Sequence, residues 1–159
     1  MIFNNIQIKL ETNQFEIVSK DYNRPWGGFF VISDEQAQEF ANYYFEGLNV
    51  SSLKISGQLS PKILIVAPCK RLSWQYHNRR AEIWRVIQGQ VGVKRSSTNH
   101  EGPLEILNIG DAITLQQGER HRLIGLDDYA VIAEIWQHTD ANYPSDEEDI
   151  IRVQDDFGR

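Results

Sequence analysis

Cysteine is all but missing: Cys69 is the one thiol in 159 residues. That excludes an internal disulfide framework and suits a reducing compartment. No run approaches the roughly 18 apolar residues of a membrane-spanning helix. Met1-Ile2-Phe3-Asn4-Asn5 lacks the basic start and apolar stretch of a signal peptide, so a cytoplasmic protein without a membrane partner is expected. Positive charge is also in short supply. Asp and Glu number 22 against 16 Lys and Arg, a net charge of −6, which disfavours nucleic acid or an anionic membrane as the main partner. There is no internal repeat and no low-complexity segment.

What is present suffices for a core. Hydrophobic residues make up 41% and aromatics 11% of the chain. A chain of this length fits one domain and buries about two thirds of its unfolded surface. One helix is signalled. Ser33 is placed to cap it, with Gln36 as a capping-box partner, and Ala37, Phe40, Ala41, Tyr44 and Phe45 recur at helical spacing before Gly47 stops it. The helix is expected to pack on the outside of a sheet. From Lys62 onward the chain reads as short strands: 62–68, 71–77, 82–87, 91–94, 104–109, 112–115, 121–126 and 129–136. Apolar and polar residues alternate, and Gly89 and Gly110 mark turns. Strands are also expected at 7–11 and 15–19, placed to extend a sheet across a dimer. The pattern predicts an antiparallel sandwich or small barrel, followed by a polar, acidic tail from about Asp140.

Four residues stand out as chemistry. Gln75 and His77, two apart on one strand, emerge on one face. Glu82 follows across a turn, and His121 opens a later strand. If that face is the barrel interior, imidazole nitrogens, a carboxylate and an amide oxygen converge, a set suited to a divalent transition metal. Spacing leaves two readings open, metal ligands or hydrogen-bonded barrel residues. His100 and His138 are read as structural or surface residues.

The stretch Gln75-Tyr76-His77-Asn78-Arg79-Arg80-Ala81-Glu82 with Gly89 resembles the first cupin motif, and Gly110 with Gln116-Gln117-Gly118-Glu119-Arg120-His121 resembles the second. Arg24-Pro25-Trp26-Gly27, Arg71-Leu72-Ser73-Trp74-Gln75-Tyr76-His77, Glu82-Ile83-Trp84, His121-Arg122-Leu123 and the tail from Glu148 to Arg159 are similar to the type II mannose-6-phosphate isomerase family. That family includes the C-terminal cupin domain of bacterial mannose-1-phosphate guanylyltransferases. The resemblance runs from about Arg24 to Arg159, interrupted by a helical insertion at about 33–60. The chain departs from the family pattern at Asn78 and Arg79, where histidines are usual, at Ile83 (histidine), at Gln116 (proline) and at Cys69 (glycine).

The resemblance implies an all-β fold, a single cupin double-stranded β-helix or jelly-roll barrel over residues 1–159 with one inserted helix. It implies a divalent metal on Gln75, His77, Glu82 and His121, zinc first, with manganese, iron, cobalt or nickel also compatible. Arginines in or beside the motifs (Arg24, Arg71, Arg79, Arg80, Arg122 and Arg159) point to an anionic ligand, since guanidinium binds phosphate in bidentate fashion. Arg71, Arg80, Arg122 and Arg159 are assigned to a sugar phosphate, and Arg80 and Arg159 also to catalysis. Arg85, Arg95 and Arg120 are read as solvated charge. Glu134 shares a face with Ile132 and Trp136 on an apolar strand, where a carboxylate needs a role or a partner; it is the candidate general base. The expected function is a metal-dependent aldose–ketose isomerase acting on mannose 6-phosphate, in a homodimer. The alternatives are a cupin that binds a sugar phosphate or nucleotide sugar without turnover, in polysaccharide synthesis, and a metal-dependent oxygenase. The tail is expected to pack at the barrel mouth and aim Arg159 inward.

Overall fold

Alternation of apolar side chains along short runs builds two facing antiparallel sheets. The computed structural model describes residues 1–53 and 58–159. One sheet has six strands in the spatial order β1 (Ile17–Arg24), β2 (Gly27–Ile32), β3 (Lys62–Val66), β10 (Ala130–His138), β5 (Arg80–Gln88) and β8 (Ala112–Leu115). The other has five: β11 (Ile151–Gln154), β4 (Trp74–Tyr76), β9 (Arg120–Gly125), β6 (Val91–Ser96) and β7 (Glu105–Leu107). This is the expected cupin barrel, and the eight strands expected from Lys62 onward are all present, Ala112–Leu115 with the expected bounds and the others with shifted ends. No helix among the described residues is long and apolar enough to cross a membrane.

The six-stranded sheet carries a core on each side. Val131, Ala133 and Ile135 of β10 face outward and pack with Ile63 and Ile65 of β3 beneath the helices. Ala130 and Ile132 face inward and pack with Val86, Val91, Val93 and Leu123 between the sheets. Glu134 and Trp136 continue the inward series. Strand β10 is therefore buried on both faces, which is why its sequence is nearly continuously apolar.

The helix α2 (Ala37–Tyr44) lies on the outer face as expected, burying Ala37, Phe40, Ala41 and Tyr44. Its start differs from the expected capping box. Ser33 makes no side-chain cap bond, and a 3-10 turn over Asp34–Gln36 leads in. The polar side chains tie the helix to its neighbours instead. Asp34 Oδ1 accepts from the Leu59 and Ser60 amides at 2.8 and 2.9 Å, and Gln36 bonds the backbone of Glu16 and Gln14. Residues 54–57 of the expected insertion lie outside the described residues.

The N-terminus corrects a further expectation. Residues 7–11 belong to a helix, α1 (Ile2–Thr12), not a strand. Ile2, Ile6 and Leu10 recur every four residues, and Ile6 and Leu10 are buried in the outer core. This segment therefore adds no strand across a dimer. The expected strand at 15–19 begins at Ile17 and runs on to Arg24.

Two backbone positions explain motif residues. Gly27 turns β1 into β2 at φ +144°, and a Cβ there would sit 1.9 Å from the Ile65 carbonyl oxygen. Only glycine fits. Cys69, where the family pattern has glycine, holds φ +59°. A left-handed conformation costs a side chain about 1–2 kcal/mol, partly offset by glycine's freer unfolded chain. Cys69→Gly is therefore expected to stabilise by about 0.5–1 kcal/mol and raise the melting temperature by about 2 °C, measurable by calorimetry.

Candidate metal centre and ligand cavity

Strands β4 and β9 meet through the pair Gln75 and His121, so both side chains enter the barrel. The turn before β9 is tied to the same place, since the Gly118 amide donates to the His77 carbonyl at 2.8 Å. On β5, Arg80, Glu82, Trp84 and Val86 alternate inward and are 1–5% exposed. These elements bring His77, Glu82 and His121 together, all buried, with one ligand atom from each lying within 4.8 Å of the others.

Both imidazoles are oriented by backbone carbonyls. His77 Nδ1 bonds the Asp149 carbonyl at 2.6 Å, and His121 Nδ1 bonds that of Glu119 at 2.9 Å. A proton on each Nδ1 leaves a lone pair on each Nε2. Those two nitrogens lie 3.2 and 3.1 Å from Glu82 Oε1. None of the three atoms has a hydrogen-bond partner. Three buried lone-pair atoms facing one another are costly unless a cation joins them. Two imidazole nitrogens and one carboxylate oxygen are the donors a divalent transition metal takes, so the residues fit the expected ion.

Arg80 divides the Glu82 carboxylate. Its guanidinium lies 3.3 Å from Oε2 and leaves Oε1 to the histidines. It also donates to Ser145 Oγ and the Asp146 carbonyl, and stacks 3.9 Å over the Trp136 ring. Burial alone would push the Glu82 carboxyl up. Positive charge at His77, Arg80 and His121 outweighs it and holds the group well below the usual carboxylate range, the imidazoles' part passing to the cation when one is bound. Glu82 is thus favoured as the carboxylate. Gln75 lines the cavity beside Glu82, and its carbonyl oxygen accepts from the Ser73 hydroxyl at 2.5 Å.

A cavity of about 550 Å³ opens from this cluster toward the tail; its walls include Trp26, Gln75, Arg80, Glu82 and Glu134. Glu134 is 5% exposed. Its two oxygens accept from the Trp84 and Trp136 indole N–H groups at 2.9 and 3.2 Å. Burial, reinforced by the charge of Glu82, pushes its carboxyl up to about 7 against the counter-pull of Lys62 and Arg80. A carboxyl poised there can take and return a proton near neutral pH.

Arg24, Arg152 and Arg159 line the same cavity. Arg159 reaches it as expected, clasped by Asp155 at 2.8 Å. Arg24 is paired with Asp21 at 3.2 Å. The Arg152 guanidinium makes no hydrogen bond or ion pair among the described residues. Burial and the nearby Arg159 and Arg24 push its guanidinium down, partly opposed by Asp155. An unpaired cation beside two others is a ready anion site.

Several arginines stand elsewhere than the sequence suggested. Arg71 and Arg122 do not line the cavity. Arg71 is bidentate to Asp156, and Arg122, 2% exposed, is committed to Leu72, Glu101 and Gln154. Arg79 stacks 3.9 Å from the Tyr143 ring and pairs with Asp146. Arg85 and Arg95 are ion-paired, to Glu46 and Glu105, and Arg120 stacks on Tyr76. His138 is buried and structural, bonding the Gln58 carbonyl and the Ser145 amide.

Sequence reasoning missed Arg152 and Asp149. Arg152 had a signal: it alternates with Ile151 and Val153 and so faces the other way. Asp149 had none, because it acts through its backbone carbonyl on His77 and through its carboxylate on the Asn78 and Arg79 amides at 2.9 and 3.0 Å. The tail also differs in how it is held. Of its apolar residues Ile150 lines the cavity, whereas Ile151 and Val153 are 42% and 37% exposed; β11 is carried by backbone pairing with β4.

Comparison with known proteins bears on the family and the fold. A mannose-1-phosphate guanylyltransferase from Salmonella montevideo is 26% identical over 153 residues, which are 96% of this chain and 26% of that protein. The chain thus spans about a quarter of that relative. Among solved structures, the capsular polysaccharide assembling protein CapF of Staphylococcus aureus superposes with a TM-score of 0.55 at 14% identity, over 84% of this chain and 33% of that one. Vicilin from tomato, Solanum lycopersicum, gives 0.54 at 16% identity, over 83% and 32%. Both likenesses concern the fold. The model of the family described as "Mannose-6-phosphate isomerase C-terminal" matches residues 11–155, and the chain belongs to that family.

Proposed function

We propose that the chain is a metal-dependent isomerase of a phosphorylated sugar, interconverting an aldose with its ketose. Mannose 6-phosphate and fructose 6-phosphate are the pair the family description implies. One observation carries the reading. A single cavity is lined by an ionised metal-ligand residue, Glu82, by a buried carboxyl raised to about 7, Glu134, and by a group of arginines.

His77, Glu82 and His121 would hold the ion, Gln75 offering its second carbonyl lone pair, and zinc suits the two imidazoles and one carboxylate. Bound there, a divalent ion supplies Lewis acidity that polarises a sugar carbonyl oxygen. The protein's own groups do the rest. Arg24, Arg152 and Arg159 take the phosphate and set the position of C1 and C2. Glu134 removes the proton from C2 of the aldose and returns it to C1, as the C2 hydroxyl loses its proton and the C1 oxygen gains one. The Trp84 and Trp136 N–H groups fix the carboxylate during both transfers. Arg80 acts through Glu82, keeping one carboxylate oxygen turned to the histidines.

A coupled assay over aldose and ketose phosphates, on protein reconstituted with zinc, tests the reading. Turnover of one pair supports it. Tight binding without turnover makes the chain a sugar-phosphate-binding cupin instead. Arg152→Ala is expected to weaken mannose 6-phosphate binding about tenfold in calorimetry, since a charge-assisted bond contributes roughly 1.5–3 kcal/mol before solvent discounts it. Arg95→Ala, ion-paired away from the cavity, should leave affinity unchanged.

A further inference from the structure

The strand that brings Arg152 to the cavity buries no side chain of its own. Ile151, Arg152, Val153 and Gln154 are all exposed. Strand β11 is outermost in its sheet and pairs only with β4, through three residue pairs with an irregularity between Arg152 and Gln154. An edge strand held that weakly is a candidate for local opening.

Two arginines outside the cavity grip it. Arg71 donates from Nε and Nη2 to the two carboxylate oxygens of Asp156 at 2.7 and 2.9 Å. Gln154 joins that carboxylate at 3.1 Å. Arg122 is anchored in the barrel by the Leu72 carbonyl at 2.8 Å and Glu101 at 2.7 Å, and its remaining Nη2 donates to Gln154. Beyond this latch, Phe157 packs against the inner core and Arg159 turns to the cavity. Asp149, upstream, is tied separately to residues 77–79.

We propose that Arg71 and Arg122 are positioning residues that latch β11, through Asp156 and Gln154, and thereby hold Arg152 and Arg159 at the cavity. The ligand side of this inference rests on the sugar-phosphate reading above. An exposed ion pair contributes little to global stability. Here it acts on a strand that buries no side chain of its own, so its effect is local.

The test uses the full chain with Arg71→Ala, Asp156→Ala and the exchanged pair Arg71→Asp with Asp156→Arg. Arg122 is too deeply buried to truncate without risk to the fold, so its arm is cut from the tail side by Gln154→Ala. In hydrogen–deuterium exchange, amides of residues 151–154 should exchange about tenfold faster in each single variant. Mannose 6-phosphate affinity should fall about tenfold in parallel, and the exchanged pair should recover both. Exchange matching the wild type overturns the latch, as does a freed tail with intact affinity. A wild type that binds no mannose 6-phosphate sinks the substrate reading instead; the latch is then decided by the exchange rates and their rescue in the exchanged pair.

Discussion

His121→Ala is expected to empty the metal centre while the barrel stays folded. Two imidazoles and one carboxylate oxygen make up the cluster, so loss of one leaves two donors. Groups that merely orient a ligand contribute 10- to 100-fold to metal affinity, so loss of a ligand itself should cost at least about a hundredfold. Elemental analysis of the purified variant should show near-zero metal where the wild type holds about one ion per chain. His77→Ala should match it, and His100→Ala, on an exposed loop, should not differ from the wild type. Stability offers a second measure. Metal at a hundred times its dissociation constant stabilises the wild type by roughly 2.7 kcal/mol. That increment should vanish in both variants, whose metal-free forms also give up the Nδ1 bond to the Asp149 or Glu119 carbonyl. Equal metal content in wild type and both variants would falsify the assignment.

Glu134→Gln is expected to lower turnover by roughly 10²–10⁴-fold, the range for a positioned proton-transfer group. In the zinc-loaded wild type, kcat/KM should rise with pH through a midpoint below the metal-free value of about 7, because only the ionised carboxyl accepts the C2 proton. The variant should lose that ascending limb. Metal loading should move the midpoint down, since a cation beside Glu82 removes its repulsion of Glu134. Stability should show the opposite sign. A carboxyl raised from its ordinary value near 4.5 to about 7 binds more protons folded than unfolded between those values. Its contribution is therefore full at acid pH and is lost as pH rises through 7, by about 3 kcal/mol in all. Glutamine removes this pH dependence, yet it offers one oxygen to two indole N–H donors. One of them is left unsatisfied, at about 1–3 kcal/mol. A pH–rate profile unchanged in the variant would remove Glu134 from the proton path.

The site was legible where strand alternation dictates facing. Two residues of spacing put Gln75 and His77 on one side, and the same rule put Glu134 among the inward residues of its strand. The motif marked His121 as the opening of a later strand, and the structure pairs it with Gln75. Charge was less legible, because an arginine's reach exceeds the strand spacing and its partner is set by tertiary contacts. Arg71 and Arg122 sit in the motifs yet turn to Asp156, Glu101 and Gln154. Local propensity also misled at the N-terminus. Residues 7–11 allow strand or helix, and Ile6 and Leu10 against the outer core decide for helix. The helix on the outer face was legible from Phe40 and Tyr44, but not its entry, since Asp34 and Gln36 bond distant backbone rather than their own turn.

Strand β10 has no side open to water from Ala130 to Trp136. Odd-numbered residues fill one core, and even-numbered residues fill the other or reach the cavity. Substitution there changes one side chain, whereas a single added residue exchanges the two sets downstream of it. Glu134 would be driven among Phe40 and Ile63 with Trp136 turned the same way, and an aliphatic side chain would take its place beside the Trp84 indole. The same insertion a few residues earlier, in the exposed turn Asp127-Asp128-Tyr129, leaves the register untouched. Changes of length are thus forbidden across one strand and free at its threshold, and the proton-transfer group lies on the forbidden side.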